Sequence, residues 1–482
     1  MHQCFARTLI FSTLLLGIFA GFMCVSASAE TLAAKTYYVS TTGSNSNPGT
    51  QDSPWATPAY GAKKLKAGDT LIIEAGTYVI ADSSAVLKPR SGSSVAAITI
   101  EGKSSKGEKP VLAGRGNVRA AIDLSGTKYV KIQGLEITHD STATGDDLLM
   151  KDGVVILGKA ASDIILDDLY IHHIDNTGLN IQDVDKIQVT SCRIEYCGND
   201  AASGPAGKSG GWKNVKIESS RLSYSGHYYQ GGAGSNRPNK TPDGLFVRAS
   251  AGPVEVQSCT FEHNYGDGVE SYAPNTYIHE TILANNICNG IRFWVDNGKA
   301  ENCLIYGIGD KAPNTGIYAG IMIEGITSGN PRFFLTNVTV DDNQSRQGFM
   351  AEFQRYANGW INLTMKNCIF ANGGGAVCMY KTVKAKVENS LFLRSGARNQ
   401  VEYEGVTYTG DQIESGKIGP GNLSRDPKYV KRSWGGVGDY HLQKTSPCID
   451  AGTANGAPDI DLSGTARPQG AGFDMGCYEQ KK

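Results

Sequence analysis

A short pattern recurs along the chain: a glycine followed by apolar residues at the first and third positions after it. It occurs at Gly153 (Val154, Ile156), Gly178 (Leu179, Ile181), Gly244 (Leu245, Val247) and Gly268 (Val269, Ser271). It returns at Gly290 (Ile291, Phe293), Gly320 (Ile321, Ile323), Gly348 (Phe349, Ala351) and Gly375 (Ala376, Cys378). Alternation with period two is the signature of a strand with one buried face. Its return at a near-constant interval means stacked supersecondary units.

A second series is interleaved with the first, with apolar ends five residues apart: Leu166 and Ile171, Val189 and Ile194, Ile217 and Leu222, Val256 and Phe261, through to Val387 and Phe392. It reads as another strand per unit. Its middle inward position runs Leu135, Leu169, Cys192, Ser220, Cys259, Thr281, Cys303, Val338, Cys368, Ser390. The shortest step, from Cys259 to Thr281 and on to Cys303, is about 22 residues, close to one coil of a parallel β-helix. The expected fold is all-β: a right-handed parallel β-helix solenoid in which each coil buries its inner face against its neighbours.

Composition supports that choice and bounds the partners. The chain has 482 residues, 59 glycines and a net charge of -1. Glycine suits the tight corners of a solenoid. A neutral balance excludes nucleic acid as the main partner, which needs a basic footprint, and leaves room for an acidic polysaccharide at a local site. Arg7, the apolar run Leu9 to Met23 and Ala27-Ser28-Ala29 read as a secretory signal peptide over residues 1–29, so the mature protein is expected outside the cytoplasm. That run is too short for a membrane span, and no other segment is apolar enough. A monomer is expected.

Of 11 cysteines, Cys4 and Cys24 fall in the signal, leaving nine. The inward cysteines are separated by Ser220 and Thr281, so they stand about 9.6 Å apart, beyond disulfide reach. They read as inert buried thiols. Cys448 and Cys477, outside the ladder, are the best candidate bridge.

Residues 30–400 are assigned to the solenoid. A short amphipathic helix over Ala59 to Leu65 is expected to cap its open N-terminal end, where strand edges would otherwise be exposed. One long insertion, Gly198 to Pro242, includes the coil strand Val215 to Tyr224 and a loop with Tyr228, Tyr229, Arg237 and Lys240. Residues 401–482 form an irregular C-terminal capping tail. Its Asp459-Ile460-Asp461-Leu462-Ser463-Gly464 lacks the downstream glutamate of a calcium loop and reads as packing.

The strand pattern fixes which side chains face out. The second residue after each glycine runs Val155, Asn180, Phe246, Glu270, Arg292, Met322, Met350, Val377. The residue before each glycine includes Asp243, Asp267 and Asn289 on consecutive coils. The two lists bring Asp243, Asp267, Glu270, Asn289 and Arg292 onto one patch, with Tyr272 and Trp294 beside it. Asp-Gly and Asn-Gly are ordinary turn chemistry, and Glu270 with Arg292 would pass for a surface pair. Asp243 beside Asp267, however, is unfavourable unless a cation intervenes. Three carboxylates suit a hard cation such as Ca²⁺.

At this point the chain resembles the right-handed β-helix pectate lyases of polysaccharide lyase family 9. Tyr37-Tyr38-Val39-Ser40 through Pro54-Trp55-Ala56-Thr57 and Gly68-Asp69-Thr70 is similar to their opening segment. Asp243-Gly244 matches the first half of their calcium motif. Gly266-Asp267-Gly268-Val269-Glu270 matches the second half, with glycine for the first aspartate and glutamate for the last. Asn289-Gly290-Ile291-Arg292 matches their base-bearing strand, with arginine for lysine. The resemblance implies a secreted lyase cleaving a uronate-containing, pectate-like polysaccharide by calcium-assisted β-elimination. Asp243, Asp267 and Glu270 would hold Ca²⁺, and Arg292 would take the C5 proton, as an arginine is proposed to do in another β-helix lyase family. Alternatively Arg292 binds a carboxylate. Asn289, Trp294, Tyr272, Lys299, Arg237 and Lys240 would contact substrate. The rival readings are a non-catalytic carbohydrate-binding protein and a uronan epimerase. A polygalacturonase-type hydrolase is disfavoured because no Gly-His-Gly segment is present, and His172 and His173 read as surface residues.

Overall fold

The computed structural model describes residues 33–481 apart from 117, 141–149, 205–206, 231–240, 310–317, 344–347 and 434. The chain divides into two units, and everything below concerns the second, Ala34–Lys482. The signal segment, Arg237 and Lys240 lie outside the described residues. No helix among the described residues is long and apolar enough to cross a membrane.

The described residues form three long sheets of 13, 12 and 12 strands. The chain visits them in rotation. Lys128–Gln133 joins the first sheet, Glu136–His139 the second and Asp152–Ile156 the third, and Ala161–Asp167 returns to the first. Pairing between successive coils is parallel throughout, until the antiparallel Asn399–Tyr403 and Val406–Thr409 end the third sheet. This is a right-handed parallel β-helix, the hand that parallel crossovers favour.

Each five-residue span of the second series, expected as one strand, is the end of one strand, a corner, and the start of another. Leu166 belongs to the first sheet and Ile171 to the second. Between them Asp168 adopts φ 51°, and the same left-handed turn recurs at Ser191, Ser219, Ser258, Glu280, Asn302, Asn337, Asn367 and Asn389. Small polar residues and asparagine tolerate this region best. The next residue points inward, so Leu169, Cys192, Ser220, Cys259, Thr281, Cys303, Val338, Cys368 and Ser390 are all buried, as expected. The alternation of thiol and hydroxyl has a purpose. The amides of Cys192, Cys259 and Cys368 donate to the hydroxyls of Ser220, Thr281 and Ser390 on the next coil.

The repeated glycine answers a close approach. A Cβ on Gly268 would lie 2.7 Å from the Gly290 carbonyl oxygen, and one on Gly290 would lie 2.6 Å from that of Gly320. Neighbouring coils therefore meet backbone to backbone. One coil was hidden from the pattern. Ala202–Ser203, inside the presumed insertion, is a strand of the third sheet between Leu179–Ile181 and Leu245–Val247.

The capping helix spans Pro58–Lys64, one residue earlier than expected, because the Thr57 hydroxyl accepts from the Tyr60 amide at its N-terminus. The tail does two jobs. Helix Gly410–Glu414 puts Ile413, with Ile418, into the main core. The rest runs back along the second sheet, where Tyr429, Tyr440, Leu442, Cys448 and Met475 bury the outward Leu304, Ile369 and Leu391. Corner asparagines tie it down: the Asn302, Asn337, Asn367 and Asn389 side-chain amides donate to carbonyls of Ile460, Asp474, Thr453 and Ala451.

The expected Cys448–Cys477 bridge is not formed; both are free, buried thiols. The Met475 amide donates to the Cys448 carbonyl, which sets Met475 rather than Cys477 against Cys448. The Cys477 amide is bound instead to the Thr339 hydroxyl. All nine cysteines between Cys192 and Cys477 are free and buried. Burial pushes the thiols of Cys192, Cys259 and Cys368 up to about 12, which keeps them inert.

Candidate functional site

The site grows from a ladder at the entrance to the third sheet. Asp200, Asp243, Asp267 and Asn289 occupy the same position on four consecutive coils, and all are buried. Each side chain accepts from the backbone of the next coil. The Asp243 amide donates to Asp200 Oδ1 at 2.9 Å, the Asp267 amide to Asp243 Oδ1 at 2.6 Å and the Asn289 amide to Asp267 Oδ1 at 2.8 Å. One carboxylate oxygen per rung thus serves the scaffold. Asn289 ends the series: its Nδ2 donates to Asp267 Oδ1 at 2.7 Å, and its Oδ1 accepts from the Ala319 amide at 2.8 Å. Expected to contact substrate, Asn289 lines the cleft, and with both side-chain ends engaged it also positions Asp267.

Three residues further along, the strands present their outward row. Phe246 pairs with Glu270, Glu270 with Arg292, and Arg292 with Met322. Beyond Met322 the expected row was Met350 and Val377; the structure pairs Met322 with Glu352, and Glu352 with Cys378. Met350 is fully buried, two residues out of the expected register.

The geometry at the centre is close. Ligand atoms from Asp243, Asp267 and Glu270 all lie within 4.8 Å of one another. Arg292 Nε donates to Glu324 Oε2 at 2.6 Å, and its Nη1 lies 3.7 Å from Glu270 Oε1. Trp294 Nε1 donates to Glu270 Oε1 at 2.7 Å, and the Tyr272 and Trp294 rings stack at 4.7 Å. The guanidinium of Arg292 lies over Trp294, 4.4 Å from the ring centre. Gly266, where the resembling lyases carry aspartate, has no room for a side chain: its Cβ would fall 2.2 Å from Asp243 Oδ1.

Charge is unbalanced here. Desolvation, then Asp267 and Asp200, push the Asp243 carboxyl well above the usual carboxylate range, and desolvation raises Asp267 too. Glu270 is pushed up to about 7 by desolvation and then by Asp267. Burial opposes the charge on Arg292, yet Asp267, Glu324 and Glu270 together hold its proton more tightly than usual. The donor set is all oxygen, negatively charged and short of counter-charge. That suits a hard divalent cation.

A cleft of about 310 Å³ opens over these residues, lined also by Tyr318, Met322, Glu324, Glu352 and Tyr356. Its size lies at the lower end for small-molecule sites. Glu324 and Glu352 escaped the sequence pattern. Glu324 is four residues after Gly320, level with Trp294, and that spacing was available as a signal. Lys299, expected at the site, sits instead on the first sheet, exposed near the rings of Tyr277 and Phe334. Strand Gly298–Glu301 follows the turn out of the third sheet, so its residues face another wall. His172 and His173 lie on the second sheet, as surface residues.

A family model described as "Pel9A-like, right handed beta helix region" matches residues 37–370. No protein of curated function matches the sequence. Among solved structures, the complex of XylC with xylose is similar at TM-score 0.57 and 11% identity, over 92% of this chain and 99% of that one. Pectate lyase Pel9A is similar at TM-score 0.45 and 14% identity, over 92% of this chain and 96% of that one. An alginate lyase from Paenibacillus sp. str. FPU-7 is similar at TM-score 0.41 and 14% identity, over 69% of this chain and 94% of that one.

Proposed function

The chain belongs to the Pel9A-like right-handed β-helix family, and from that premise we propose that it is a polysaccharide lyase. It would cleave a uronate-containing, pectate-like polymer outside the cytoplasm by calcium-assisted β-elimination. The observation that carries this reading is the convergence of Asp243, Asp267 and Glu270 within 4.8 Å.

In that reaction a general base takes the C5 proton, the C4–O bond breaks, a C4=C5 double bond forms, and the departing oxygen takes up a proton. Asp243, Asp267 and Glu270 would hold Ca²⁺, which supplies positive charge against the uronate carboxylate and makes the C5 proton more acidic. Asn289 fixes the rotamer of Asp267 through two hydrogen bonds to Oδ1. Trp294 holds Glu270 through one hydrogen bond to Oε1. Arg292 takes the second of the two roles considered for it. Its ion pairs with Glu324 and Glu270 keep it protonated, so its role is to orient a sugar carboxylate rather than to accept the C5 proton. Tyr272 and Trp294 offer an apolar surface beside it.

The test is an assay of the purified protein on a panel of uronate polymers with Ca²⁺ or chelator, read by the ultraviolet absorbance of the unsaturated product. Calcium-dependent product is expected. Reducing ends without unsaturation would replace the reading with hydrolysis. The confinement of Arg292 favours one second reading, calcium-dependent carbohydrate binding without cleavage. Saturable binding with no product on any polymer would establish it.

A further inference from the structure

The cleft is asymmetric in charge along the solenoid. Among its described lining residues, Arg292 is the one cation, against the acids Asp267, Glu270, Glu324 and Glu352. A divalent cation would answer the triad of Asp243, Asp267 and Glu270, and Arg292 answers Glu324 at 2.6 Å. That leaves Glu352. It is buried, and its hydrogen bonds are to Gln354 Nε2 at 3.2 Å and to the side chain of Tyr380, both uncharged partners. Burial weakens solvent screening, so a second carboxylate placed over Glu352 would be repelled strongly. In the other direction the outward row reaches Phe246, with the Arg248 guanidinium 4.3 Å from its ring centre. Arg248 is exposed and makes no ion pair among the described residues. One end of the groove therefore tolerates anions, and the other excludes them.

The floor at the excluding end suits a neutral sugar. Met322 offers an apolar surface, and Gln354 and Tyr356 offer hydrogen-bonding groups at the rim, joined to each other at 2.6 Å. Glu352 accepts hydroxyl protons when ionised and donates one when protonated; in the ionised form it repels an anion.

We infer that ionised Glu352 acts as a charge filter, so that the preferred polymer has uronate residues separated by neutral sugars rather than a run of uronates. This rests on the lyase reading of the same site.

The experiment compares two oligosaccharide sets of equal length with the full chain in Ca²⁺: a galacturonate homopolymer, and a polymer alternating galacturonate with an uncharged sugar. Expected is a kcat/KM about tenfold higher for the alternating set. Added salt should narrow that ratio, since the discrimination is electrostatic. Glu352→Gln should narrow it by lowering KM for the homopolymer. A homopolymer preference, or a ratio indifferent to both salt and Glu352→Gln, overturns the filter; the salt series on the natural protein stands even where the variant folds poorly. Should neither set yield unsaturated product, the lyase reading falls. Calorimetric binding of the same two sets then decides the filter by itself: equal affinities refute it, and a salt-sensitive preference for the alternating set upholds it.

Discussion

Two acidic clusters in this molecule use similar side chains to opposite ends. In the tail, Asp461, Asp474 and Glu479 surround Arg467, and all four are buried. Every carboxylate oxygen there meets an N–H. Asp461 accepts from the Ser463, Thr465 and Glu479 amides, Asp474 from those of Asp450 and Gln480, and Glu479 from Arg467 and the Gln469 and Asp474 amides. In the groove, N–H donors among the described residues reach one oxygen each of Asp243, Asp267 and Glu270. One oxygen from each of the three lies within 4.8 Å of the others. Where donors match acceptors, an acidic cluster is architecture; where acceptors exceed donors, it awaits a cation.

The largest effect should come from breaking the matched cluster. Arg467→Met leaves Glu479 buried without its partner and should cost about 3–5 kcal/mol in denaturant unfolding. A cost below about 1 kcal/mol would erase the contrast. The unmatched cluster should show itself through calcium. At a hundredfold excess over Kd, Ca²⁺ should add about 2.7 kcal/mol of stability, and Asp243→Asn should abolish the gain.

The pH dependence follows from the sign of the shift. A carboxyl raised on folding stabilises below its unfolded value and loses that contribution as pH rises through the folded one. For Glu270, raised from 4.5 to about 7, metal-free stability should fall across that interval, while the calcium increment grows. A calcium increment independent of pH would sink the assignment. Asp267→Asn should lower activity by more than the about 10–100-fold that loss of an outer-shell partner of a metal site costs, yet leave the metal-free midpoint level or higher because a repulsion is relieved. Trp294→Phe removes the donor to Glu270 and part of the stack, and should weaken substrate binding by about 0.5–1.5 kcal/mol, read as KM.

The site was legible where coils have similar length. From Gly244 to Gly290 the spacing is regular, so Asp243, Asp267, Glu270, Asn289 and Arg292 fell into line from sequence alone. It failed where loops intervene. Asp200 precedes Ala201 rather than glycine, and its coil was mistaken for an insertion. Glu352 was missed because Gly348 was aligned with Gly320, whereas Met350 holds that position. A slip of two residues keeps the alternation of faces, so nothing in the local pattern betrays it. The thiol ladder was read correctly because it depends on one residue per coil. The bridge between Cys448 and Cys477 was not, because the tail has no period to constrain it.

The periodic sequence by itself determined the solenoid, its inward residues and the outward direction of Glu270 and Arg292. Those follow from alternation and from how closely neighbouring coils approach. The tertiary structure alone decided which carboxylates have spare oxygens, which cation is already paired, and which wall Lys299 occupies. Charge balance at a point depends on groups brought together from different coils, and their register is set by packing across the whole rod rather than by any one segment.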